Sequence, residues 1–188
     1  MTARCAAFAG SRLIASGELE KVALEVKRLI DAGEQGTILI FDETTSEQIE
    51  VDFRGSAAEV AGRLAAPEPP RRPGRPKLGV VAREVTLLPR HWEWLNAQPG
   101  GASVALRKVV EEARRTHAGR DRARQAQEAT YRFMTAMAGN EAGYEEAARA
   151  LFGGKPDRFE EMTASWPADI REHARKLAAA AFEPVAVA

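Results

Sequence analysis

Apolar residues in the first third of the chain recur with two different periods. Between residues 19 and 32 they fall three and four positions apart, which predicts one amphipathic helix. Residues 37–41 form a β-rich run, and residues 48–53 alternate between apolar and polar positions, so both segments predict strands. Residues 5–14 predict a further strand ahead of the helix.

A second helix and a proline-rich segment follow. Ser56 and Glu59 have the spacing of a capping box, which predicts a helix that runs to Leu64. Residues 1–66 therefore predict a small α+β domain with the order β-α-β-β-α. The next segment, residues 67–77, contains five prolines, which lack an amide donor and fix the backbone φ angle. It predicts an extended linker arm and a domain boundary.

The last part of the chain, residues 119–188, is rich in alanine and predicts a helical region. The first helix is predicted over residues 120–138 and the second over residues 140–152, before a Gly-Gly pair. Asp157 and Glu160 predict the cap of a short third helix. Ser165 and Pro167 predict the start of a last helix, in which one apolar stripe consists of Ile170, Ala174, Leu177 and Ala181.

Between the arm and this region, residues 78–118 follow the order strand, helix, turn, helix. Residues 80–87 are a β-rich run that is too short and too close to prolines for a helix. Leu88-Pro89 predicts the start of the first helix and Pro99-Gly100-Gly101 its end. Ser103 is predicted to cap the second helix.

Both helices carry apolar residues that one chain of this size cannot bury. A single strand and two short helices enclose too little apolar surface to fold alone, so the segment predicts a homodimer. Pairing two copies would give a two-stranded ribbon over a four-helix core. The predicted core residues are Val85, Leu87, Trp92, Leu95, Leu106, Val109 and Val110.

Charge sets the central segment apart from its flanks. The whole chain is neutral, with 27 Lys and Arg against 27 Asp and Glu. Residues 71–124, however, contain 13 basic residues and 5 acidic ones, whereas residues 1–66 and 125–188 are net negative. A basic middle between acidic flanks indicates a polyanionic partner. The alternative is a solvated, arginine-rich helix surface.

The order of elements in residues 78–118 resembles the ribbon-helix-helix family, whose dimers read DNA with a β-ribbon in the major groove. The resemblance implies that alternate strand residues face the bases. If the family pattern is aligned on Trp94-Leu95 and the Gly-Gly turn, Val85 and Leu87 point inward, and Ala82, Glu84 and Thr86 point toward the groove. If the pattern is aligned on Leu88-Pro89 instead, Arg83, Val85 and Leu87 point toward DNA. The first register is preferred because it buries the larger apolar side chains.

Nucleic-acid contacts are predicted at three places. On the arm they are Arg71, Arg72, Arg75 and Lys77, whose charges would release counterions from DNA. On the strand they are Arg83, Glu84 and Thr86. At the amino end of the second helix they are Gly101, Ser103 and Arg107, where backbone amides suit a phosphate.

Three longer stretches carry a resemblance that extends over the full length. They are GRPKLGVVAREVTLLPRHWEWL, QPGGASVALRK, and FMTAMAGNEAGYEEAARALF with the later WPADIREHA. They are similar to an uncharacterised bacterial family, domain of unknown function 2239. This resemblance implies one continuous architecture and carries no activity over to the chain.

The remaining reactive residues predict no active site. His91, His117 and His173 are far apart in sequence and lack cysteine partners, so each is assigned to the surface or a helix end, and no metal site is expected. Cys5 is the only cysteine, which excludes an intrachain disulfide and is assigned a buried apolar role. No nucleophile-elbow, zinc-protease or P-loop pattern occurs. We therefore expect no enzymatic activity and no cofactor.

The sequence thus predicts an α+β chain with a central ribbon-helix-helix unit. A single cysteine, no signal-peptide core and no run of 18 apolar residues favour the cytoplasm and exclude a membrane-spanning helix. The first functional hypothesis is a DNA-binding homodimer that regulates transcription. The alternative is an antitoxin-like interaction protein in which the unit only dimerises. A protein partner or effector would then bind the N- or C-terminal region.

Overall fold

The computed structural model describes residues 4–65, 81 and 83–183. Within these ranges the protein is a mixed α+β structure with three strands and seven α-helices, and most of it is helical. The chain divides into two compact units. The first combines Met1–Ala66 with Gly119–Val187, and the second is Pro67–Ala118.

The three strands form one antiparallel sheet in the order β2-β1-β3. They are β1 (Arg4–Ala9), β2 (Arg12–Glu18) and β3 (Ile38–Asp42). Ala9 pairs with Arg12, so only Gly10 and Ser11 connect β1 and β2. Gly10 has a φ angle of +54°, which glycine adopts without the strain that a Cβ would cause. The single strand predicted over residues 5–14 is therefore a tight hairpin of two strands.

The strand predicted over residues 48–53 is wrong. The segment makes one isolated bridge, between Phe41 and Gln48, and the Ile49 amide donates to Ile40 O at 2.8 Å. After that it runs without a strand partner. Its odd positions, Ile49, Val51 and Phe53, still lie partly buried against the core, so the alternation predicted burial correctly and pairing incorrectly.

Two helices follow the predicted positions closely. Helix α1 covers Leu19–Asp31 and buries Val22 and Val26 against the sheet, as expected from its period. Helix α2 covers Ala57–Leu64. Its capping box is confirmed, because Glu59 N donates to Ser56 Oγ at 3.3 Å while Ser56 N donates to Glu59 Oε2 at 2.7 Å.

The remaining helices are α3 (Pro89–Asn96), α4 (Gly101–Ala138), α5 (Tyr144–Phe152), α6 (Pro156–Met162) and α7 (Ala168–Ala178), followed by a short 3-10 turn at Ala179–Ala181. The largest correction concerns α4. It is one continuous helix of 38 residues, whereas a break was predicted near residue 119. Gly119 lies inside it, since a single glycine costs a helix only about 1 kcal/mol.

Two predicted caps are also wrong. Ser103 lies within the first turn of α4, which begins at Gly101, so it does not precede the helix. The residue that precedes α6 is Lys155, with Pro156 at the first helical position, and no side chain caps it. Asp157 and Glu160 are therefore inside the helix. Proline at the first position needs no amide partner, which explains this start.

Both faces of the sheet are covered, and β1 is buried on each. Cys5 and Ala7 face α1, whereas Ala6 and Phe8 face the helices of the C-terminal region. The second face packs against Phe133 of α4, with Trp166, Ile170 and other residues of the later helices around it. The segments that were predicted as separate regions, residues 1–66 and 119–188, thus contribute to one core.

Candidate nucleic-acid interface

The predicted turn between the two central helices is present between α3 and α4. Gln98 Nε2 donates to Trp94 O at 3.1 Å, and the Gly101 amide donates to Gln98 O at 2.9 Å, which closes the turn. Gly100 and Gly101 have φ angles of +89° and +74°. Any other residue is strained at such angles, so this glycine pair determines how α3 connects to α4.

Alanine substitutions distinguish the two glycines of this turn. A Cβ at Gly100 would lie 3.2 Å from Cβ and Cγ1 of Val104, whereas a Cβ at Gly101 meets no atom within 4 Å. We expect Gly100→Ala to cost about 2–3 kcal/mol of unfolding free energy and Gly101→Ala about 1–2 kcal/mol, because both share the backbone strain and only the first crowds Val104. Urea unfolding of both variants measures the difference, and equal costs would contradict this packing.

The second unit exposes most of the large apolar side chains on the described surface. Of the ten that are exposed, seven lie between residues 81 and 110, and Val85, Trp94 and Val110 are each about half exposed. Leu95 and Ala105, by contrast, are almost fully buried. Exposed apolar groups concentrated in one short segment are typical of an interaction surface.

Helix α4 carries two different faces in this unit. Leu106, Val109, Val110 and Ala113 are three and four positions apart, so they share one side of the helix. This side was predicted as a buried stripe, but Val109 and Val110 are 46% and 49% exposed in the single chain. We define these four residues as the apolar face of α4.

Four basic residues lie around the rest of the helix: Arg107 and Arg114 are beside the apolar face, three and four positions from Val110, whereas Lys108 and Arg115 are on the side opposite to it. Arg107 and Arg114 are seven positions apart, as are Lys108 and Arg115, and all four are exposed. Arg107 Nε donates to Ser103 O at 3.1 Å, and Arg114 forms an exposed ion pair with Glu111 at 3.0 Å. These four residues are the basic face of α4. Side chains in such a row suit a repeating phosphate backbone.

The predicted DNA-reading strand has no regular structure in the single chain. Arg83, Glu84 and Thr86 are exposed and belong to neither a strand nor a helix, and Leu87 is partly buried. A ribbon between two chains therefore stays a prediction, as does its register. Ala82 and the arm residues Arg71, Arg72, Arg75 and Lys77 lie outside the described residues.

Two reactive side chains of the first unit are deeply buried. Cys5 is fully buried, as predicted, and burial, assisted by the charges of Glu43 and Asp42, raises the pKa of its thiol to about 11. His173 is 94% buried, so its predicted surface position is wrong. Its ring contacts Phe133 and Phe8, with centroids 4.6 and 5.3 Å away.

The described residues contain neither a metal-binding cluster nor a membrane-spanning helix. They contain no cluster of three or more His, Cys, Asp or Glu side chains with the spacing of a metal site. None of their helices combines the length and the apolar character that a membrane crossing requires.

Comparison with known proteins identifies the family. A model for uncharacterized proteins conserved in bacteria, domain of unknown function 2239, matches residues 4–178. The chain belongs to this family. No curated protein and no solved structure matches it significantly.

Proposed function

We propose that the chain is a homodimeric DNA-binding protein that regulates transcription, with residues 78–118 as a ribbon-helix-helix unit. The observation that carries the proposal is that α4 exposes both an apolar face and a set of basic residues beside and behind it. The apolar face offers a surface to a second copy, and the basic face remains available to a polyanion. The net charge of residues 71–124, which include the arm, supports DNA as that polyanion.

Dimerisation requires the apolar face in this proposal. Pairing two copies would remove Val85, Trp92, Val109 and Val110 from water, at roughly 25 cal/mol per Å² of apolar area. The chain has a mass of 20.4 kDa, so light scattering should report about twice that value for the dimer. We expect the double variant Val109→Glu, Val110→Glu to have the mass of a monomer. Lys108→Glu, on the opposite side of α4, should retain the dimer and weaken DNA binding.

Substitutions in the arm test whether its positive charges contribute to DNA binding. Substituting Arg71, Arg72, Arg75 and Lys77 with Gln removes four positive charges. The dimer loses eight such charges, so if each contacts a phosphate, the slope of log Kd against log salt concentration should fall by about 7. Fluorescence anisotropy with labelled genomic DNA fragments, over a series of salt concentrations, measures it.

A matched variant controls for net charge. Replacing Lys21, Arg28, Arg149 and Arg158 with Gln removes the same charge from exposed positions of the first unit. Their ion pairs stabilise the fold little, so this variant should fold and retain the salt dependence of the unmodified protein. A folded dimer that binds no DNA even at low salt would exclude the proposal and favour the interaction-protein alternative.

A further inference from the structure

An open groove lies in the first unit beside the C-terminal part of α4. Its volume is about 590 Å³, which falls within the range of roughly 300–1,000 Å³ that is usual for small-molecule sites. Gln48, in the segment after β3, and Phe152, at the end of α5, line it together with residues of α4. Among the latter, Glu128, Tyr131 and Arg132 are three and four positions apart, so they present one stripe of side chains to the groove.

Two aromatic rings form the apolar part of this lining. Tyr131 and Phe152 are 41% and 53% exposed, and their ring centroids lie 5.5 Å apart with an angle of 62° between the ring planes. Among the described residues of the first unit, every other phenylalanine, tyrosine and tryptophan is buried or partly buried. An exposed pair of rings at this angle offers the ring of a ligand both a face and an edge to pack against.

One carboxylate and one guanidinium are the charged groups of the described lining. Glu128 and Arg132 are one helical turn apart, a spacing at which opposite charges commonly pair. Among the described residues, however, they form no ion pair with each other or with any other side chain. Arg132 instead donates from Nη1 to Thr45 O, in the turn after β3. Both charges are therefore open to a ligand that carries the opposite ones.

The remaining polar groups of the lining are neutral. Thr135 Oγ1 donates its only hydrogen to Tyr131 O at 2.8 Å, so Tyr144 OH is the donor in its 2.7 Å contact with Thr135 Oγ1. Thr135 thus has no hydrogen left for a ligand, whereas the exposed amide of Gln48 can donate or accept one. Recognition of charge falls to Glu128 and Arg132, and a ligand with a single charge would meet a like charge at one of them.

We propose that this groove binds a free aromatic amino acid in its zwitterionic form. The ring of the ligand packs on Tyr131 and Phe152. Its carboxylate accepts hydrogen bonds from the Arg132 guanidinium, and its ammonium group donates to the Glu128 carboxylate. A free amino acid carries both charges on one carbon next to its side chain, as the groove carries a guanidinium and a carboxylate one helical turn apart beside the two rings. The site lies wholly within the first unit and stands whether or not the chain binds DNA.

The probe is L-phenylalanine, and the readout is the ¹H–¹⁵N NMR resonances of the backbone amides of Glu128, Arg132 and Phe152. At constant ionic strength we expect saturable shifts with a Kd on the order of 1 mM, as is usual for a ligand of this size in an open site. The amide of Lys21, on α1, lies outside the groove and should not move. N-acetyl-L-phenylalanine lacks the ammonium and L-phenylalanine amide lacks the carboxylate, so each should bind about threefold more weakly. L-Alanine lacks the ring and should bind at least about tenfold more weakly.

Two substitutions assign each charge of the ligand to its partner. Glu128→Gln should weaken L-phenylalanine about threefold without weakening N-acetyl-L-phenylalanine, which has no ammonium group to lose a contact. Arg132→Gln should likewise weaken L-phenylalanine about threefold without weakening L-phenylalanine amide. Arg122→Gln, at an exposed position of α4 outside the groove, is the matched control and should leave every Kd unchanged. Shifts that do not saturate, equal Kd values for L-phenylalanine and its two analogues, or a Glu128→Gln variant that weakens both L-phenylalanine and its N-acetyl analogue would overturn the proposal.

Discussion

We expect Phe133→Ala to lower the free energy of unfolding by about 3–5 kcal/mol, the range for removing a buried aromatic side chain. Phe133 is fully buried on α4. Its ring centroid lies 5.3 Å from those of Phe8 and Phe41 and 4.6 Å from that of His173. These neighbours belong to β1, β3 and α7, so the substitution opens a void between the N-terminal sheet and the C-terminal helices. Urea unfolding followed by circular dichroism measures the loss.

Phe152→Ala is the matched control. This phenylalanine of α5 is 53% exposed, and its ring centroid lies 5.5 Å from that of Tyr131. Its removal should cost no more than about 1 kcal/mol. Amide exchange gives a second test, because one core predicts that β1 and α7 lose protection together in Phe133→Ala. Reduced protection in α7 alone would contradict a shared core.

Elements that depend on local signals could be predicted from the sequence. Helix α1 was predicted over residues 19–32 and is found at Leu19–Asp31, and the capping box placed the start of α2 correctly. Proline placed the start of α3 in the same way. Helical period, caps and proline act within a few residues, so they are visible without knowledge of the tertiary fold.

Elements that depend on distant contacts could not be predicted. Strand β1 is the central strand and is buried on both faces, so its sequence is almost uniformly apolar and gives no alternation. Residues 48–53 do alternate, but alternation reports only that one side of an extended chain is buried. Whether a neighbouring strand pairs with it depends on where Phe41 and the rest of the sheet lie.

The candidate interface was predicted in part, for a related reason. The helices and the Gly-Gly turn follow from local sequence, but the basic face of α4 depends on the exact helical register of Arg107, Lys108, Arg114 and Arg115. The stripe that the helical period predicted as buried is exposed at Val109 and Val110, because period reports which residues share a side of the helix and not what covers that side. His173 was missed because a histidine in a polar stretch, REHARK, looks exposed until Phe8 and Phe133 are seen beside it.

The stability of the protein should depend on the protonation of His173 below neutral pH. Burial, together with the positive charge of Lys176, lowers the pKa of the imidazole to about 4, although Glu43 acts in the opposite direction. The ordinary value in an unfolded chain is 6.5. Between these two values the unfolded chain takes up a proton that the folded chain does not, which favours unfolding. The contribution is therefore complete above about pH 6.5 and is lost as the pH falls toward 4.

We expect this residue alone to account for about 3 kcal/mol between pH 7 and pH 4, because each unit of pKa shift corresponds to about 1.4 kcal/mol. His173→Phe retains the aromatic contacts with Phe8 and Phe133 but cannot titrate. The difference in unfolding free energy between the two proteins should therefore change by that amount across the range. His117→Phe, at an exposed position of α4, should leave the pH dependence unchanged. Parallel curves for the unmodified protein and His173→Phe would mean that the imidazole has the same pKa in the folded and unfolded states, which would contradict its burial.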